Sequence, residues 1–172
     1  MDAEAAKAAP AGRIEDLYVR YAPGGFRLAY ALTGDRQVAE DLLQDAFVRV
    51  VGRLGHIRSG VTFDAYLRRT IVNLTKNTWR RRAVERAHAH EAAPPPQNAP
   101  SGEGAVVDRL AVWQAILAMP LRQRTAIVLR FYEDLAEDDI AAIMGCRPGT
   151  ARSLVARGMA TLRESLEVAT DA

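Results

Sequence analysis

Two small all-α domains joined by a Pro-rich flexible linker are predicted by three observations. Apolar residues recur at helical spacing in both halves of the chain. No segment alternates apolar and polar residues as a half-buried strand does. The stretch Ala92–Gly104 (AAPPPQNAPSGEG) holds four of the eight prolines and no large apolar side chain. Consecutive prolines favour an extended conformation and lack backbone donors, so this stretch reads as a semi-extended connection. The expected division is a first domain over 14–90, a linker over 91–105 and a second domain over 106–168. With 172 residues and 49% apolar composition, a packed core is within reach.

The elements follow in chain order. Asp16–Leu32 has helical period, and Pro23–Gly24–Gly25 is expected to interrupt it. Val38–Leu54 places Val38, Leu42, Leu43, Ala46, Phe47, Val50, Val51 and Leu54 on one stripe. Asp35, after the Thr33–Gly34 break, is placed to cap it. Phe63–Arg82 is a further helix with Tyr66, Leu67, Ile71 and Leu74 as its buried stripe. Beyond the linker, Val106–Ala118, Arg122–Tyr132, Glu137–Met144 and Thr150–Val168 are all helical in period. No internal repeat is present.

Glu137–Met144 buries Ile140, Ala141, Ile143 and Met144, and Gly145 supplies the positive φ that ends a helix. Cys146–Arg147–Pro148–Gly149 leads into the next helix, which Thr150 caps or opens. Helix, glycine turn and helix at this spacing is a helix-turn-helix arrangement. At 100° per residue from Thr150, Ala151, Val155, Gly158, Met159, Leu162 and Leu166 fall between about 80° and 180°, the core side. Thr150, Ser153, Ala156 and Arg157 lie opposite, flanked by Arg152 and Arg163. Arg147 to Arg163 contains four arginines and no acid. Such a face either enters a major groove or is an ordinary solvated surface. The preceding Glu133–Asp139 (EDLAEDD) either repels DNA or supplies the acidic first turn that the helix dipole favours.

Charge in the first half is segregated. Residues 1–90 carry 15 basic and 10 acidic side chains, residues 91–172 carry 8 and 11, and the formal total is only +2. The helix from Val38 bears Glu40, Asp41, Gln44 and Asp45 on its polar face, with Arg49 and Arg53 later. This is either a helix matched to its own dipole or an acidic docking face for a basic partner. From Ala65 to Arg86 there are seven basic residues and one acid. Asn73, Asn77, Thr75 and Trp79 are interleaved among Lys76, Arg80, Arg81 and Arg82. Cations there suit phosphates and amides suit base edges, while Trp79 either stacks on a base or anchors the core. Of the 23 basic residues 21 are arginine, which reflects genome composition more than function.

The order of these segments resembles a known family. AEDLLQDAFVRV at Ala39–Val50 resembles the core-polymerase-binding segment (region 2.2) of bacterial sigma factors. FDAYLRRTIVNLTKNTWRRR at Phe63–Arg82 is similar to the promoter-melting and minus-ten-reading segment of the extracytoplasmic-function (ECF) class, in its actinobacterial sigma-E-like subfamily. MPLRQRTAIVLRFYEDLAEDDIAAIMGCRPGTARSLVARGMATLRESL resembles region 4 of that class. The resemblance spans roughly residues 14–168. It implies a sigma factor that binds core RNA polymerase and directs promoter-specific initiation. Glu40, Asp41, Gln44 and Asp45 would face the clamp helices of the β′ subunit, and region 4 the β flap. The loop Gly55–Thr62 would receive a base flipped from the non-template strand. Asn73, Lys76, Asn77 and Trp79 would act at the minus-ten element, and Arg80, Arg81 and Arg82 would hold duplex backbone upstream. Arg147, Thr150, Arg152, Ser153 and Arg157 would meet the minus-thirty-five element, with the linker near the RNA exit channel. An anti-sigma factor is a further implied partner. Three departures stand out. Val51 replaces a common tryptophan, Leu154 and Ala156 replace long basic or polar residues, and Pro23–Gly24–Gly25 breaks a helix that is usually continuous. Fewer donors at 154 and 156 predict weaker minus-thirty-five reading.

Two other readings compete. A helix-turn-helix regulator would bind duplex without replacing the polymerase sigma subunit. An enzyme would draw on His56, His88, His90, Glu91 and Cys146. The HxH at His88 and His90 lacks the second cluster a metal site needs, and Cys146 reads as a small packed residue. No catalytic residue, cofactor or metal is therefore expected. A single cysteine excludes an internal disulfide. Met1–Gly12 has no apolar core of signal-peptide length, and no apolar run nears the ~20 residues of a membrane span. A cytoplasmic protein without membrane insertion is expected.

Overall fold

A computed structural model describes residues 11–53, 62–89 and 105–170. Within them the chain forms α1 (Ala11–Thr33), α2 (Arg36–Val51), α3 (Phe63–Ala89), α4 (Ala105–Ala118), α5 (Leu121–Ile127), α6 (Glu137–Met144) and α7 (Pro148–Thr170). A π turn over Val128–Tyr132 follows α5 directly. No strand occurs among the described residues. Most of the expected linker, including Glu91, lies outside them, as do His90, His56 and Leu54.

The first three helices pack as a bundle around Leu28, Leu32, Leu67 and Ile71, all buried. Contrary to the sequence expectation, α1 is continuous through Pro23. The proline lies on the exposed side, where the carbonyl it leaves unpaired can meet water. Gly25 faces inward, and a Cβ there would stand 2.8 Å from Leu43 Cδ1 and 3.2 Å from Ile71 Cδ1. Close approach of α1 to α2 and α3 therefore uses the very residue that local propensity reads as a breaker. Asp35 caps α2 as expected, accepting from Val38 N–H at 3.0 Å. Thr62 does the same for α3, its Oγ1 accepting from Ala65 N–H at 3.2 Å. α3 runs seven residues beyond the expected Arg82.

In the second half α5 and α6 pack against α7. The expected helix Arg122–Tyr132 instead changes character at Val128. Glu133 N–H bonds Val128 O at 3.1 Å, one residue beyond the α-helical partner. The widened turn leaves Phe131 58% and Tyr132 55% exposed.

The two halves share one apolar cluster, in which Val128, Leu129, Ile140, Ala141, Ile143 and Ala151 join the bundle core. Tyr30 of α1 stacks on Trp113 of α4 at 5.4 Å between centroids. Arg124 of α5 is only 3% exposed and crosses the seam. Its Nη1 donates to Leu32 O at 2.7 Å, and its Nη2 donates to Met119 O at 3.1 Å and to Leu117 O. Arg68 of α3 pairs with Glu133 at 2.7 Å, and with Asp64 on its own helix at 2.7 Å.

Candidate nucleic-acid interface

Burial of Ala39, Leu42, Leu43, Ala46, Phe47 and Val50 turns the opposite face of α2 outward. Glu40 is half-buried and pairs with Arg36 at 2.9 Å. Asp41 accepts from Gln37 Nε2 at 3.4 Å, and Gln44 and Asp45 are exposed. Asp41, Gln44 and Asp45 form one wall of an open groove whose other wall is Leu74, Asn77, Thr78 and Arg81 of α3. The acidic face and the amide-bearing helix are thus immediate neighbours.

On α3, burial of Leu67, Ile71, Leu74 and Thr75 fixes the exposed arc. Asn73, Lys76, Asn77, Arg80 and Arg81 are all exposed and fall within roughly 140° of one another at 100° per residue. Asn73 and Asn77 line a second cleft with Arg49, Arg53, Tyr66, Arg69 and Thr70. Arg49 in the last turn of α2 and Arg53 in the turn after it were legible only as dipole-matched arginines. Their convergence with Arg69 is a tertiary fact that helical spacing hints at only through the i, i+4 step.

Trp79 does not join this group. It sits about 120° around α3 from Asn73, half-buried, with the Arg124 guanidinium carbon 5.0 Å from its ring centroid. A cation over an aromatic face is an attractive pairing, strongest when water is excluded. Burial lowers the Arg124 pKa to about 10, so it remains charged at neutral pH. Its Nε is buried without a hydrogen-bond partner. Arg82 belongs to α3, but its side chain lies outside the described residues, as does the loop up to Thr62.

The second surface is built by α6 and α7. Gly145 takes φ +63° and ψ 43°, and its N–H bonds Ala141 O, as does Cys146 N–H at 3.0 Å, closing α6. α7 starts at Pro148 rather than at Thr150, since a proline fits a first helical turn without losing a bond. Thr150 is in that first turn, its N–H bonded to Arg147 O at 2.9 Å. Arg147, Arg152, Ser153 and Arg157 are exposed on one side, and Thr150 is half-buried. Arg152 pairs with Glu137 at 2.8 Å, a hydrogen bond that raises its pKa further. Ser153 Oγ bonds Gly149 O at 2.8 Å and Arg157 Nε bonds Ser153 O at 3.2 Å, so the face is internally braced. Leu154 corrects an expectation. It is 5% exposed and belongs to the core, so it removes no donor from the open face; Ala156 is exposed.

Comparison with known proteins finds matches in both halves of the chain. Residues 17–84 match the family model Sigma-70 region 2, and residues 109–162 match Sigma-70, region 4. The RNA polymerase sigma-E factor of Streptomyces avermitilis is 34% identical over 141 residues, covering 82% of this chain and 78% of the relative. The chain belongs to the ECF RNA polymerase sigma factors. The ECF RNA polymerase sigma factor SigE of Mycolicibacterium smegmatis is 36% identical over 157 residues, covering 88% of this chain and 61% of that one. Among solved structures, the sigma factor RpoE of Bartonella quintana in complex with the anti-sigma factor NepR matches with a TM-score of 0.72. That match has 26% identity and covers 90% of this chain and 96% of the other. As a sigma factor the chain binds core RNA polymerase and directs promoter-specific initiation of transcription. Members of this family are non-catalytic subunits of the polymerase. Among the described residues no helix is long and apolar enough to cross a membrane, and no His, Cys, Asp and Glu group is arranged to hold a metal.

Proposed function

We propose a division of labour in which residues 14–90 dock polymerase and open the promoter while residues 106–168 read the minus-thirty-five element, with 91–105 connecting them. Asp41, Gln44 and Asp45, with Glu40 behind them, meet the basic clamp helices of β′. Asn73, Lys76 and Asn77 hold the extruded base and its phosphates at the minus-ten element, and Arg80, Arg81 and Arg82 hold backbone. Arg49, Arg53 and Arg69 extend that cationic cleft. Arg147, Thr150, Arg152, Ser153 and Arg157 meet the minus-thirty-five duplex, and region 4 meets the β flap. The chain catalyses nothing itself, works in the cytoplasm and is held in check by an anti-sigma factor, as the Bartonella protein is seen with NepR.

The observation that carries this reading is the juxtaposition of Asp41, Gln44 and Asp45 with Asn77 and Arg81 across one groove. A site that grips a basic protein with one wall and DNA with the other couples polymerase docking to strand capture. Unpairing costs a few kcal/mol per step, and capture of an extruded base offsets that cost. Reconstituted transcription with core polymerase, starting from the promoter upstream of the protein's own gene, is the test. Specific transcripts lost in the Asp41→Arg, Gln44→Ala double variant are expected. Stable duplex binding with no effect on core polymerase would instead favour the stand-alone regulator.

A further inference from the structure

Glu137 is an acid tied to the open face of α7. It begins α6, directly after the uncapped Ala136. Its Oε2 accepts from Arg152 Nε at 2.8 Å, across the turn of the helix-turn-helix. Asp138 and Asp139 also lie in the first turn of α6, so the helix dipole is matched without Glu137. Arg152 has no acid on its own helix within reach. The residues four places from it are Pro148 and Ala156, and Arg147–Arg163 contains no carboxylate. The two side chains are 72% and 35% exposed. As a stabilising contact such a pair is worth little, because water and salt screen it.

The pair matters differently once α7 lies on DNA. A cation meant for phosphate is weakened by a carboxylate 2.8 Å away, which cancels its charge and repels the backbone. A cation meant for a base is helped. A guanidinium carries five N–H donors in one plane. Occupying Nε fixes that plane and leaves Nη1 and Nη2, neither of which makes a hydrogen bond among the described residues. Used end-on, these two match the O6 and N7 acceptors of guanine, the commonest specific contact in a major groove. Arg152 also lies in the second turn of α7, near the end from which recognition helices reach base edges. The face around it is low, with open space where a Cβ on Gly149 would stand and Ala156 exposed. Arg157 is the contrast. Its Nε bonds the neutral carbonyl of Ser153, so its full charge stays available to phosphate.

We propose, resting on the assignment of α7 to the minus-thirty-five element, that Glu137 is a positioning residue for sequence readout. It holds Arg152 so that the two terminal amino groups pair with one guanine of that element.

The test assembles each full chain with core polymerase and selects duplexes from one randomised pool; the retained sequences give base preference position by position. Wild type is expected to favour guanine about tenfold at one position of the upstream element, and Arg152→Ala to erase that preference. Glu137→Ala is expected to reduce it to about threefold, while binding to unrelated duplex rises because a carboxylate has gone. Glu137→Gln keeps an oxygen that accepts from Nε and is expected to retain most of the preference, which separates positioning from charge. With Arg152→Ala already in place, Glu137→Ala is expected to change base preference no further. A carboxylate that served only to stabilise α6 would lower the thermal midpoint and weaken all sequences alike. An unchanged preference in Glu137→Ala, or an equal change in the Arg152→Ala background, overturns the proposal. No motif selected by wild type, or no position altered by Arg152→Ala, overturns the assignment of α7 and the proposal with it, an outcome distinct from failure of Glu137 alone.

Discussion

The two helices assigned to DNA, α3 and α7, present arginine to solvent on very different terms. On α3 the cations and amides share a groove with the acids of α2 and a cleft with Arg49 and Arg53. On α7 the exposed face is small and braced. Ser153 and Arg157 bond backbone of their own helix, and Arg152 is tied to Glu137. The first surface concentrates charge beside an acidic wall. The second, in the proposed reading, lies in an intact groove, with few donors free to reach bases. In the proposed division of labour one helix works by charge density next to a protein partner and the other by fit.

The largest expected effect comes from the wall that α7 lacks. Asp41→Arg with Gln44→Ala places like charges against the clamp helices, a juxtaposition that costs several kcal/mol. Core-polymerase pull-down is expected to fall by ~100-fold or more while duplex binding through region 4 is unchanged. Asn73→Ala with Asn77→Ala tests strand capture. Open-complex formation on duplex is expected to drop ~30-fold and to recover on a template melted in advance. Equal losses on both templates would make α3 a mere backbone clamp.

Stability separates the halves as well. A Cβ on Gly158 would stand 2.5 Å from Ile127 Cγ1, at the α5–α7 crossing. Gly158→Ala is expected to cost region 4 about 2 kcal/mol by overpacking, read as a lower thermal midpoint, with core binding retained. The smallest effect belongs to Arg157→Ala. Removing one phosphate-reaching cation is expected to weaken duplex binding a few-fold and to flatten its salt dependence by about one charge. A larger loss confined to one sequence would show that α7 reads bases through this residue.

Much of this comparison was legible in the sequence, and the failures have physical causes. The cap at Asp35, the buried stripe of α2 and the glycine turn at Gly145 follow from local rules that tertiary packing did not override. Pro23–Gly24–Gly25 misled because local propensity sees a breaker, whereas packing sees a proline facing water and a glycine at a helix crossing. Leu154 misled because family position was weighed above its own hydrophobicity; at about 40° from Thr150 it borders the core sector. Arg124 was invisible. One arginine among 21 carries no sign that it will be buried across a seam, since its partners are carbonyls and a ring distant in sequence. The convergence of Arg49, Arg53 and Arg69 escaped for the same reason.

The π turn at Val128–Tyr132 bears on what fixes the outward face of α7. Its Glu133 N–H to Val128 O bond encloses one residue more than an α-helix needs at that point. Deleting one residue there would leave a helix able to close its bonds but would rotate everything after it by ~100° relative to α5. Ile127, against which Gly158 fits, would then meet a different side of the helix-turn-helix. The extra residue sets the phase between the two parts of region 4. At this place the number of residues, more than their chemistry, determines what α7 shows to DNA.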